Sequence, residues 1–136
     1  MAQTQKPTKL GYGETGRRMA GEPATEVQSV VGLTGACTAS EDSTFLNPGG
    51  ATKLAANGFA LVDADSVIAS DTAVTDDTVE LDHVFTATGS QSVSGFAIEN
   101  NDDDVVYAEC CFNAALSFET GDTLTVEMKI QYKLGA

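Results

Sequence analysis

Between residues 19 and 128 the chain carries one basic side chain, Lys53, against 19 acidic ones. The 136 residues also include no Trp, one His, three Pro and three Cys. A body so poor in Lys and Arg repels phosphate backbones, so nucleic-acid binding is not expected. No apolar run approaches the roughly 18–20 residues of a membrane span, and the start, MAQTQKPTKLGYGE, lacks the apolar core of a signal peptide. The expectation is therefore no membrane partner, a non-secretory context, and a mature protein equal to the whole chain. With only Tyr12, Tyr107 and Tyr132 beside the missing Trp, the supply of exposed aromatics for a carbohydrate-binding face is poor.

What the chain does have is acid. Twenty Asp and Glu against seven Lys and Arg give a formal charge of −13, while 42% apolar residues suit one packed domain rather than a disordered chain. The charge is divided unevenly: residues 1–18 sum to +3, residues 19–128 to −18, and the last eight add +2. Carboxylates arise from almost every segment, with Ala, Thr and Val as the accompanying small residues. That spread resembles salt adaptation more than a set of calcium loops, and it points to a halophilic source. Above about 1 M salt the Debye length is about 3 Å or less, so the self-repulsion of such a surface is screened.

Residues 1–26 read as an extended basic arm. Gly11, Gly13, Gly16 and Gly21 with Pro7 and Pro23 interrupt regular structure, and Leu10, Tyr12 and Met19 are the only sizeable apolar groups. A basic segment beside an acidic body suits contact with another copy or a neighbouring protein. The assembly residues are then Lys6, Lys9, Leu10, Tyr12, Arg17, Arg18 and Met19.

From residue 27 onward the hydrophobic period is mostly two. Leu124, Val126, Met128, Ile130, Tyr132 and Leu134 alternate with polar residues, and Val79, Leu81, His83 and Phe85 share one face of a second strand. Val93 to Glu99 is a third strand. Val105 to Phe118 is a run long enough to be buried on both faces or bent at Asn113. Gln28 to Thr34, Phe59 to Asp63 and Ser66 to Ala69 are shorter candidates, and Ser29 to Val31 or Gly50 to Ala56 could make a helical turn. Turns fall at Asn47-Pro48-Gly49-Gly50, Asn57-Gly58, residues 100–104 and Glu119-Thr120-Gly121-Asp122. The fold class is all-β: an antiparallel, jelly-roll-like β-sandwich over residues 27–136, preceded by the arm.

Catalytic and metal constellations are weak in this sequence. Cys110 and Cys111 point to opposite faces of a strand and cannot share a metal, so Cys37, Cys110 and Cys111 are expected as buried small hydrophobes. His83 is expected as a half-buried strand residue, its neighbour Asp82 facing the other way. In the run of residues 100–104, Val105 stands where a calcium loop needs Gly, so that run, Asp63 with Asp65, and Asp71 with Asp76 and Asp77 read as solvated acidic turns. The GxGxxG of residues 11–16 follows no strand and is not a nucleotide loop. No cofactor, metal or enzymatic activity is expected.

The segment TVELDHVFTATGSQSVSGFAIENNDDDVVYAECCFNAALSFETGDTLTVEMKIQY, about 55 residues, resembles the C-terminal half of small virion proteins of tailed viruses, the tail-fibre-like and capsid-decoration proteins. The matching features are a strand opening on Thr78-Val79, a strand from Gly95 into an amide and acidic loop at Asn101, and a Gly121-Asp122 turn into the last alternating strand. The chain lacks the aromatic usual before that loop and the basic residue usual in the following strand, where it has Ala108 and Glu109. The resemblance implies a non-enzymatic virion subunit, a capsid decoration or turret protein held by its arm. It also implies other virion proteins as partners and assembly as a homo-oligomer, a trimer or pentamer. A tail fibre or baseplate subunit is the alternative, and a cellular carbohydrate- or calcium-binding sandwich the rival of another class.

Overall fold

The computed structural model describes residues 3–21, 27–100 and 105–132; the side chain of Arg18 lies outside what is described. The elements in chain order are β1 (Gln3–Pro7), α1 (Lys9–Met19), β2 (Ser29–Thr34), β3 (Thr52–Lys53), β4 (Val62–Asp63), β5 (Ser66–Ser70), β6 (Thr78–Thr86), β7 (Gln91–Asn100), β8 (Val105–Phe118) and β9 (Thr123–Gln131), with a short 3-10 turn at Pro48–Gly50. One sheet runs β1-β8-β7-β2-β3, with β4 also on β2; the other runs β5-β6-β9. Every pairing is antiparallel, and the two sheets pack into an all-β sandwich, as the alternating pattern predicts.

The core lies where the apolar faces of both sheets meet. Val30, Phe96, Ile98, Cys110 and Phe112 come from the larger sheet and Leu81, Phe85, Val126 and Met128 from the smaller. Phe59 bridges them, its ring 5.4 Å from Phe85 and 5.1 Å from Phe118. Fully burying a side chain of this size stabilises the fold by about 2–3 kcal/mol.

β8 satisfies both readings of its sequence. Val105 to Phe112 is buried throughout, and the register to β7 breaks between Gly95↔Cys111 and Val93↔Leu116, around Asn113. Both faces are buried because residues 35–55 cover the outer side of the larger sheet. There Val31, Leu33, Ala51, Ala97 and Val106 form a second apolar cluster, joined by Cys37.

Three expectations are corrected. Ser29 to Val31 is strand, and Gly50 to Ala56 holds the two-residue β3 rather than a helical turn. Cys37 and Cys111 are not free thiols but a disulfide across 74 residues of sequence, whereas Cys110, on the opposite face of β8, is the expected buried thiol. Gly49, with φ of 64°, leaves room for that bridge: a Cβ there would lie 2.9 Å from Cys111 Sγ and 3.0 Å from Cys37 Sγ.

The third correction concerns the N-terminal segment, which is a strand and a helix rather than an arm without regular structure. β1 extends the larger sheet in register with β8, from Gln3↔Phe112 to Pro7↔Ala108. Thr8 then caps α1, its Oγ1 accepting the Gly11 N–H at 3.0 Å while donating to the carbonyls of Val106 and Tyr107. Gly11 is what lets the helix dock: a Cβ there would sit 2.8 Å from Tyr107 Cα. Gly11, which would weaken the helix in isolation, therefore serves its tertiary contact.

Candidate interaction surface

Two basic residues of the N-terminal segment, Lys9 and Arg17, find carboxylates on the same chain. Lys9 Nζ lies 2.7 Å from Asp42 and 3.4 Å from Glu41, and the Asp42 hydrogen bond, with both negative charges, raises the lysine pKa above its ordinary value. Arg17 Nη1 lies 3.1 Å from Glu14 Oε2, a buried carboxylate on the next turn of α1. Lys6 is exposed on β1, in register with Glu109. Charge complementarity between segment and body is thus used within one chain by Lys9, whereas Arg17 pairs within α1 itself.

The apolar members of the predicted set behave differently. Leu10, Tyr12 and Met19 stay exposed on α1, Met19 at 85%. Met19 also lines a cleft of about 630 Å³ with Val27, Ala64, Val67, Ala69 and Ile130, while Thr15 and Tyr132, hydroxyls 3.3 Å apart, stand at its polar rim. The cleft follows from the unequal sheets: three strands cannot cover the inner face of six.

β5 borders this cleft and ends its sheet. It pairs with β6 along one side, from Ser66↔Asp82 to Ser70↔Thr78. Val67 and Ile68 are 38% and 51% exposed on its two faces. Alternation alone marks this segment as a short strand; it does not show that the strand is an edge with both faces in solvent.

The acidic groups divide into turn organisers and a crowded patch. Asp77 accepts from the backbone N–H groups of Thr72, Ala73 and Val74, from Thr78 Oγ1 and from Gln131 Nε2. The Gln131 hydrogen bond leads the effects that hold its carboxyl well below the usual range. Asp71 accepts the Asp76 N–H, Asp63 accepts from Ser29 Oγ, and Asp65 from the Val84 N–H. These carboxylates therefore close turns and strand ends. Of the run at residues 100–104, positions 101–104 lie outside the described residues.

Glu80, Asp82 and Glu127 bring carboxylate oxygens within 4.8 Å of one another on the outer face of the smaller sheet. Lys129 Nζ stands 2.9 Å from Glu127 and 3.6 Å from Glu80, so the patch already holds a cation of its own. Desolvation, then the charges of Glu80 and Glu127, raise the Asp82 pKa.

His83 is buried edge-on against Phe85, ring centroids 4.6 Å apart, with Nδ1 3.2 Å from Asp65 Oδ1 but not aligned for a hydrogen bond. Burial pushes the Cys110 thiol up to about 11, far from the thiolate a nucleophile needs. Glu109, fully buried, accepts from Ser40 N and Ser43 Oγ and so anchors the covering loop. Comparison with protein families, curated proteins and solved structures finds no match for this chain.

Proposed function

We propose that the chain is a non-enzymatic structural subunit of a tailed-virus particle, a capsid decoration or turret protein of a virus whose host lives in strong brine. The observation that carries this reading is the gathering of Met19, Val67, Ile68 and Tyr132, all exposed, around one cleft beside the end strand β5. Exposed apolar groups collected beside a sheet edge suit attachment to other protein surfaces.

Two further features support it. The Cys37–Cys111 bridge suits the oxidising surroundings of a particle exterior. The charge of −13 keeps such a surface soluble in concentrated salt. Attachment falls to the apolar side chains of α1 and β5, because Lys9 and Arg17 are engaged by their own chain.

The test is to find the protein in purified particles. Mass spectrometry should recover it at a fixed copy number per particle, and gold-labelled antibody should decorate the capsid. Label confined to the tail would replace this reading with the fibre or baseplate one. Recovery only with cellular fractions would overturn both.

A further inference from the structure

Sheet edges of soluble proteins are ordinarily blunted by Lys, Pro, a bulge or a covering segment. β5, Ser66-Val67-Ile68-Ala69-Ser70, contains no charge and no Pro, and keeps an unbroken register to β6 over all five residues. Val67 and Ala69, in register with Leu81 and Val79, face the cleft; Ser66, Ile68 and Ser70 alternate onto the other face, with Ile68 at the strand edge also bordering the cleft.

The strand is also self-complementary. When two identical strands pair antiparallel and both cleft-side faces lie on one side of the joined sheet, only residues of the same face can oppose each other. With Ile68 opposite Ile68, Val67 meets Ala69 and Ser66 meets Ser70, in both directions. A shift by one step of that pattern sets Ile68 against Ser66 or Ser70, and in the second case also Val67 against Asp71. The centred register is therefore the one that places apolar against apolar and hydroxyl against hydroxyl throughout. At its two ends Asp65 opposes Asp71 of the other copy, a like-charge pair that opposes association in dilute buffer and is screened in brine.

We infer that β5 joins two copies of this chain edge to edge, antiparallel about Ile68, into a continuous sheet ordered β9-β6-β5-β5-β6-β9, and that salt promotes the contact. A two-fold contact closes at two copies. It deepens the assembly reading by naming the contact between copies, yet it is measured on purified protein, so its failure leaves incorporation into particles untouched.

The full chain should sediment as a species of twice 14.1 kDa in about 3 M KCl and shift toward monomer at about 0.3 M. Asp71→Asn should lower the salt needed for half-association. In high salt Ile68→Cys should form an interchain disulfide on mild oxidation, Ser66→Cys alone should not, and an equal mixture of Ser66→Cys and Ser70→Cys should. Ile68→Lys, at an exposed position opposite Glu80, should weaken association in about 3 M KCl at least tenfold, with an unchanged melting temperature in dilute protein at about 0.3 M KCl, where both proteins are monomers. A monomer at every salt concentration, or Ser66→Cys cross-linking as fast as Ile68→Cys, would overturn the contact.

Discussion

Lys53 Nζ lies 2.5 Å from Glu99 Oε2, and the same ammonium sits 3.4 Å from the centroid of the Phe45 ring. Glu99 is fully buried and Lys53 about one-fifth exposed. The lone cation of residues 19–128 is thus an interior group, spent on a carboxylate beneath the loop that covers the larger sheet. A surface from which Lys has been removed nearly everywhere keeps one where a buried negative charge requires it.

Lys53→Met should cost about 3 kcal/mol, the lower end for removing one partner of a buried pair because Lys53 is partly solvated. The double variant Lys53→Met, Glu99→Gln should recover much of that loss, since it removes the charge with its counter-ion. Denaturant unfolding of the four proteins of the cycle measures the coupling. A zero coupling energy would mean that the pair contributes nothing.

Reduction, or Cys37→Ser, should destabilise the fold by up to about 4 kcal/mol, because the bridge closes a loop spanning 74 residues in the unfolded chain. Amide exchange should rise first in residues 35–55, the segment it ties to β8. Native protein should show no thiol reactive toward iodoacetamide at neutral pH, and denatured unreduced protein one, Cys110. Three reactive thiols after denaturation without reductant would disprove the bridge.

Asp77 gives the acid limb of stability a specific origin. Its folded pKa lies below the unfolded value of about 4, so its contribution is present above that value and fades as pH falls below it. Asp77→Asn should lower stability at neutral pH and flatten the loss between about pH 4 and pH 2. Unfolding free energies across that range in high salt provide the measurement, and an acid limb as steep as in the parent protein would assign it to other carboxylates.

Docking of α1 hangs on two small residues. Gly11→Val places side-chain atoms against the Tyr107 backbone and should release the helix, raising amide exchange over residues 9–19 while β6 and β9 stay protected. Thr8→Ala removes the cap and should cost about 1–2 kcal/mol. Unchanged exchange in Gly11→Val would show that the helix does not depend on that close approach.

The strands were legible where one face is buried and the other wet. β6 and β9 alternate along their length, and β8 has the bounds its apolar run sets, Val105 to Phe118. The N-terminal segment was not legible, because its helix owes its existence to a cap on β8 carbonyls and to the fit of Gly11, both some hundred residues away. Of the predicted assembly residues, Leu10, Tyr12 and Met19 are exposed, whereas Lys9 and Arg17 pair with carboxylates of their own chain. The edge position of β5 has no local signature, since five uncharged residues read alike in the middle of a sheet and at its end.

Periodicity and composition, both local properties, determined the all-β class, the turns at residues 47–50, 57–58 and 119–122, and the acidic exterior by themselves. Which cysteines bond, which carboxylate takes the one lysine, and which strand ends a sheet depend on residues 74, 46 or more positions apart. Only packing brings such groups together, so the tertiary structure alone decided them.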